Sequence, residues 1–582
     1  MSIRFLARLG TQSAVDGGRD RSPWDANLQT HELAEDMVVA VSGHGGLMML
    51  ADSMGFVVGT LFHRFGPSRP IDGFSASEAE TIKSTKGQHL IDRYWGRYIA
   101  FIRDEGGSFV LRDPSGMLPC LYVRTGNAII FASDASALVD AGSIKAEVDI
   151  LGAASSLFRA GQPEERTALL NVRRLLPGMR LHVRGLSIDQ SVQWNPWNYV
   201  TPCVPCSPEG QTETLRRVTQ HCISSWAHHH GRPLLAVSGG LDSSIVAACL
   251  QQGGIDFTCA TLSTRDPLGD ERAHARSLAA YLKKPLVEAN YSLDHIDLDT
   301  SSVNHLATPP GRLDAPAFDR AMVALAAEVG AQAIFTGNGG DNVFYMSRSA
   351  RPLADRYAME GISLGLLKTL HDICVLTGAT VGQAIWHAIR AMRGARSGYG
   401  WQTDRSLLSN EIVERLSTSP PTHPWLTPPK GVRLAGKAAH IAMLLRMQYS
   451  LDAYVERDGL PVVHPLASQP IIETSLQIPT WRQCEKGRDR AAARQAFRNA
   501  LPPAVIERRG KGSPQGFSYE IFHKFRAEIR ERLLDGMLAR ERLIDRKAIE
   551  RLMAPDYQGV GSEMTRLLTL VDTEAWLRHW SR

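Results

Sequence analysis

The stretch Leu234-Leu235-Ala236-Val237-Ser238-Gly239-Gly240-Leu241-Asp242-Ser243-Ser244, continued by Ile245-Val246-Ala247-Ala248-Cys249-Leu250, decides how this chain is read. Its apolar start is short and suits a buried parallel strand. The residues after the turn are helix-forming and contain no breaker. A glycine-rich turn between strand and helix aims successive backbone N–H groups and the positive helix end at one spot, which suits a phosphate. Gly239 and Gly240 let the backbone come close to a ligand and adopt dihedrals closed to other residues. Ser238, Ser243 and Ser244 add hydroxyl donors. Asp242 would repel phosphate unless a cation lay between them, so it reads as a Mg²⁺ ligand. The turn is not GxxxxGK[ST], because no lysine follows the glycines, and it is not GxGxxG.

The chain has 582 residues, more than one typical core, so two or more domains are expected. Hydrophobic content of 43% and charged content of 21% are ordinary for a globular enzyme. A net charge of +5 is too dilute over this length to argue for nucleic acid or membrane as a partner. The first residues lack the apolar core of a signal peptide, and the apolar stretch 37–62 is broken by Asp52 and glycines. A cytoplasmic protein is therefore expected. Cys203 and Cys206 have metal or redox spacing but stand without a second pair in a proline-rich segment, and read as accidental. His228, His229 and His230, with His221 nearby, read as a solvated helix end rather than a metal site.

Residues 1–200 look β-rich, with short β-branched or aromatic runs at 97–102, 108–111 and 128–131. The segment 194–208 is dense in proline and reads as an interdomain linker. After about residue 210 the pattern turns to alternating helix and strand, with further strands at 255–262 and 332–336, helices at 273–282 and 320–329, and mostly helix beyond 350. The expected fold class is thus α/β and α+β in two domains. The second domain carries a parallel sheet covered by helices, with ligands at the strand C-terminal ends.

The strand at 332–336 ends in Thr336-Gly337-Asn338-Gly339-Gly340-Asp341-Asn342-Val343-Phe344, a second glycine-rich turn with an aspartate. Asp242 and Asp341 could share a Mg²⁺ bound to phosphates, with Gly337, Asn338 and Gly339 beside the nucleotide. Leu262 and Ser263, ending the second strand, are candidates for contact with a nucleotide base. Farther on, Arg490 and Arg494 stand four apart, and Lys511 lies in a Gly/Pro-rich loop that could close a cation over a negative transition state. Read locally, the arginine segment is a solvated basic helix.

These motifs together resemble the asparagine synthetase family. Ser238-Gly239-Gly240-Leu241-Asp242-Ser243-Ser244 is the pyrophosphate-loop signature of N-type ATP pyrophosphatases. The turn at 336–344 is similar to SGEGSDE(L/V)F, and 490–511 to the K..LR…LP…R.K segment. In the N-terminal part, 111–122 resembles RDRLGIKPLYY, 131–134 resembles FASE, and 173–178 resembles RRLPPG. The resemblance implies a glutaminase-like (Ntn-type) β-sandwich with helices over 1–200. It implies an ATP-pyrophosphatase domain with a helical extension over 201–582, using ATP and Mg²⁺ and releasing AMP and pyrophosphate.

The departures narrow the reading. Glutamine-using members carry cysteine directly after the initiator methionine; here Ser2 is followed by Ile3-Arg4-Phe5, so the glutaminase site is read as inactive. Asn338 and Asn342 replace the family's glutamates, and Asn338 cannot act as a base. Val463-His464-Pro465-Leu466-Ala467-Ser468-Gln469-Pro470, then Glu473 and Trp481, resembles lasso peptide cyclases. That resemblance implies macrolactam synthesis on a precursor core peptide, with Lys511, Asp242 and Asp341 as catalytic residues. A leader peptidase and a leader-recognition protein are implied as partners. Two alternatives stay open: an amide ligase acting on a small molecule or ammonia, and an inactive nucleotide-binding scaffold. Glu271, Asp314 and Glu456 are available as bases, and nothing in the sequence singles one out.

Overall fold

The computed structural model describes residues 3–10, 28–42, 46–201, 207–265, 269–395, 398–419, 423–452, 460–510, 512, 515–554, 557 and 561–582. Ser2, Cys203, Cys206, Glu456 and Lys511 lie outside the described residues.

Two six-stranded antiparallel sheets build the N-terminal part. In the strand Phe5–Gly10, Phe5, Ala7 and Leu9 point into the space between the sheets, while Leu6 faces helices on the outer side. Phe56 and Phe101 stack across the paired strands Gly55–His63 and Tyr94–Asp104, with ring centroids 4.7 Å apart. The second sheet packs its far side against the C-terminal part, where Phe62 and Trp95 meet Trp226.

The C-terminal part holds a five-stranded parallel sheet in the order Leu286–Asn290, Thr258–Ser263, Pro233–Ala236, Ala333–Phe335, Val462–Val463. Its three inner strands are short and mostly buried, as expected for a sheet covered on both faces. The outer strands at 286–290 and 462–463 are too short or too polar to stand out in sequence. Helices follow, among them Ala435–Asp452, almost wholly buried, and Gly561–Trp580, which packs against the outer face of the N-terminal sandwich. Among the described residues, no single helix is long and apolar enough to cross a membrane.

The proline-rich segment expected as a linker is a rigid clamp over its described residues. The Trp197 indole N–H donates to the Trp425 carbonyl at 2.8 Å, and the Trp194 indole donates to Glu473 at 2.8 Å. Glu473 also accepts from Gln469 and is ion-paired with Arg64, so this residue joins the two parts. Nearby, Arg112 binds Asp452 at 2.9 Å and three backbone carbonyls. The histidine run also departs from the sequence expectation. His229 and His230 pack against Trp226 rather than into water, and burial lowers them to about 4 and about 2.

Three other histidines set a pH dependence. Burial holds His423, His440 and His464 neutral, each pushed down to about 3. In the unfolded chain each titrates near 6.5. Their stabilisation is complete above that value and is lost as pH falls towards 3, at about 1.4 kcal/mol per pH unit for each. Asp113, raised by burial to about 6, works in the opposite sense between 6 and 3.8, as do Asp355 and Asp572, also raised by burial; the lowered His229 and His230 add to the three histidines, so the imidazoles outnumber the carboxyls. Thermal melts should therefore shift steadily down between pH 6.5 and 4.5; a flat profile would contradict the neutral burial of these imidazoles.

Candidate active site

Topology places the site before any side chain is considered. From the central strand Pro233–Ala236 the chain goes first to one side, to Thr258–Ser263 and Leu286–Asn290. It then crosses to the other side, to Ala333–Phe335 and Val462–Val463. Where the direction reverses, the loops part and leave a crevice at the strand C-terminal ends. Both glycine-rich turns open there, into a cleft of about 810 Å³.

The first turn follows the expected geometry. Gly240 caps the helix Leu241–Gln252, whose N-terminus faces the cleft. Gly239 has φ +61°, and a Cβ there would lie 2.4 Å from the Cβ of His274, so only glycine fits. Ser238, Gly240, Leu241, Asp242 and Ser243 line the cleft. Ser244 does not: its hydroxyl is buried and donates to the Gly240 carbonyl at 2.7 Å. The sequence reading gave that hydroxyl to a phosphate; the helix turn takes it instead.

The second turn is pressed onto the first. A Cβ on Gly337 would meet the Ser243 nitrogen at 2.4 Å, and one on Gly340 would meet the Asp242 Cγ at 2.5 Å. Gly337, Asn338, Gly339 and Asp341 all line the cleft. The Asn338 side-chain oxygen accepts from the Gly339 N–H at 3.1 Å and so shapes the turn. Asn342 donates to the Met443 carbonyl at 2.8 Å, a structural role. Of the pair at the end of the second strand, Leu262 lines the cleft, and with Ala260, Phe318 and Met322 makes an apolar wall that suits a purine ring. Ser263 turns the other way and donates to Asn290 at 2.6 Å.

Asp242 and Asp341 do converge, on Arg490, which the sequence places only in a basic helix. The Arg490 Nη1 donates to Asp242 at 2.9 Å and to Asp341, while its Nε donates to Asp489 at 3.0 Å. Arg490 is buried and has φ +50°, at the start of the helix Ala491–Phe497. A left-handed backbone on a residue with a side chain is uncommon, and such strain collects at functional positions. Burial alone would make the guanidinium less basic, but the three carboxylates outweigh it and hold Arg490 above its ordinary range. The segment read locally as a solvated basic helix is thus part of the cleft wall. Arg494 braces it by donating to the carbonyls of Val505 and Ile506 and to Asp489.

A third contact ties the C-terminal loop to the first turn. Arg508 donates to the Ser238 carbonyl at 3.1 Å and to Glu271 at 2.7 Å, and Glu271 accepts from the Gly512 N–H at 2.9 Å. Among the candidate bases, Glu271 therefore lines the cleft but is engaged with Arg508, and Asp314 is paired with Arg312.

For a metal, no group of three or more His, Cys, Asp or Glu side chains is placed to hold an ion among the described residues. Two carboxylates facing one point are nonetheless what Mg²⁺ takes when phosphate and water complete its shell. Asp242 and Asp341 already hold a cationic nitrogen at that point, so the donor set fits the ion.

A parallel-sheet domain that opens two glycine-rich turns into one cleft is fused to an antiparallel sandwich, which defines an α/β protein of two parts. The asparagine synthase family model matches residues 214–578, more than half of the chain, and the chain belongs to that family. The glutamine amidotransferase domain model matches residues 74–194. No curated protein matches the chain. Among solved structures, NMN synthetase from Francisella tularensis matches at 16% identity over 24% of this chain and 58% of that one, with a TM-score of 0.17. The chain thus spans less than two thirds of that enzyme's length. Glutamine phosphoribosylpyrophosphate amidotransferase from B. subtilis, complexed with ADP and GMP, matches at 12% identity over 57% of this chain and 75% of that one, with a TM-score of 0.19. A structure of the allosteric regulatory enzyme of purine biosynthesis matches at 10% identity over 57% and 83%, with a TM-score of 0.20.

Proposed function

We propose that this enzyme closes a macrolactam within one peptide, as in lasso peptide biosynthesis. The observation that carries the reading is a second cavity that shares a wall residue with the cleft. Arg348 lines both that cleft and a second cavity of about 660 Å³, walled by Arg351, Tyr399, Gln402 and several glycines and alanines. Such room suits a folded peptide better than ammonia or a small acid. The sequence segment at 463–470 supports the same choice, as does Ser2 in place of the amidotransferase cysteine, from which we infer an inactive glutaminase site.

On this reading the N–H groups and hydroxyls of the first turn cradle the ATP phosphates, and the apolar wall at Leu262 takes the base. An Asp or Glu carboxylate of the core peptide attacks the α-phosphorus, the bond to the bridging oxygen breaks, and pyrophosphate leaves. The peptide's free α-amine then attacks the acyl carbon, AMP leaves, and one proton is released. Mg²⁺, held by Asp242 and Asp341, would neutralise charge on the leaving pyrophosphate. Arg490 orients those two carboxylates. Lys511 remains the proposed cation for the acyl-transfer step. The cavity's main task is orientation, holding the tail inside the ring at closure. A leader peptidase and a leader-recognition protein would supply the substrate with its amine freed.

The test is mass spectrometry of a synthetic leaderless core peptide, encoded beside this gene, after incubation with the protein, ATP and Mg²⁺. Loss of one water with one AMP and one pyrophosphate per ring is the expected result. Amide formation with ammonia and a small acid, and none with the peptide, would replace this reading by a small-molecule synthetase. Absence of AMP under every condition would leave a nucleotide-binding scaffold.

A further inference from the structure

The surface between residues 357 and 389 is apolar out of proportion to the rest. Among the described residues, ten of the seventeen large apolar side chains that are more than a third exposed lie in this stretch. It holds two capped helices, Leu364–Thr377 and Val381–Gly394, bent by 107° at the break between them. Ser363 caps the first, and Thr380 with Gln383 forms a capping box on the second. Ile373, Leu376, Ala384 and Ala388 pack inwards, so both helices are firmly seated. Their outer faces have no such task. Ile362 is 90% exposed, Leu364 86%, Leu367 62% and Trp386 56%. Leu364, Leu367, Lys368 and Val375 fall on one side of the first helix by their spacing.

The charge around this face has one sign. The sole acid in residues 361–395 is Asp372, which is buried. Lys368 and Arg393 flank the apolar side chains, and the neighbouring turn brings Lys486 beside Val375, against which Gly487 packs. The nearest acids on the packed elements are already paired, Glu360 with Arg356 and Glu485 with Arg482. The small net charge of the whole chain conceals this local excess.

We propose that this helical pair docks on an anionic lipid surface, with its apolar face in the headgroup region and Lys368, Arg393 and Lys486 at the phosphates. Exposed Trp and Leu beside basic residues are the composition of an interfacial helix. Neither helix alone is long enough to span, and the 107° bend keeps the two from forming one straight rod. Each helix has 14 residues, about 21 Å at 1.5 Å per residue, against a hydrocarbon core of about 30 Å. A second copy of the chain is a poorer occupant, because a two-fold contact would set these cations against themselves.

The test is co-sedimentation of the full-length protein with phosphatidylglycerol/phosphatidylcholine vesicles and with phosphatidylcholine vesicles alone. Binding to the anionic vesicles, weakened by 0.5 M salt, is expected. The double variant Lys368→Gln/Arg393→Gln should partition on the order of 30-fold less, from about 1 kcal/mol per cation at a charged surface. Leu367→Glu/Trp386→Glu should lose binding by at least about 10-fold while its melting temperature stays that of the parent, since both side chains point outwards. No binding to either vesicle, or equal binding by the variants, would overturn the proposal. So would a concentration-dependent dimer in sedimentation velocity that the Leu367→Glu/Trp386→Glu variant abolishes, because the face would then be a self-association surface.

Discussion

Asp242→Asn is expected to lower ATP-dependent release of AMP and pyrophosphate by on the order of 10³-fold, the scale of losing one preorganised charge-stabilising group. Asp242 sits in the first turn of the helix Leu241–Gln252, behind the glycine-rich turn, and shares the Arg490 Nη1 with Asp341. Asn is the same size but cannot neutralise a cation. The loop should therefore keep its shape while its charge chemistry fails. A second readout separates charge loss from misfolding: the residual activity should need higher Mg²⁺, with the melting temperature nearly unchanged. Turnover within a few-fold of the parent would remove Asp242 from the metal assignment.

Arg490→Met should be the most destabilising single change in the cleft. The side chain is 8% exposed and faces Asp242, Asp341 and Asp489. Removing a buried cation leaves its partners uncompensated, at a cost of about 3–5 kcal/mol, and Asp341's partial exposure puts the expected value near the lower end. Arg490→Lys should recover only part of this, because an ammonium group cannot offer its donors in the fork that reaches separate carboxylates. Chemical denaturation of the single variants and of Arg490→Met/Asp341→Asn tests the point. The double variant should be more stable than the sum of the two losses predicts, since the second change removes a charge the first stranded. Strict additivity would mean that the contact is not energetically coupled.

Both predictions concern contacts that local sequence patterns do not encode. Arg490 lies 248 positions from Asp242 and 149 from Asp341. The local pattern around it, basic residues at helical spacing, is the same whether a helix faces water or a cleft. The separate fates of Ser243 and Ser244 are of the same kind. Adjacent hydroxyls look equivalent in sequence, and the helix decides that one lines the cleft while the other bonds back to Gly240. The short outer strands at 286–290 and 462–463 are paired by the sheet rather than announced by their residues.

The sequence by itself determined the strand, turn and helix at 233–252, the second glycine-rich turn, and the change from β-rich to alternating architecture. All of these rest on interactions within a few residues: backbone freedom at glycine, apolar periodicity, and hydroxyl or carboxyl groups at fixed offsets. Only the tertiary structure decided where the sheet reverses, and so where the cleft opens. It also decided that Arg490 joins the two aspartates, that Glu473 and the two tryptophans at 194 and 197 lock the domains together, and that the helices at 364–394 leave an apolar, basic face outside. These depend on packing between segments far apart in the chain, where burial and charge pairing are set by what arrives opposite rather than by what stands beside.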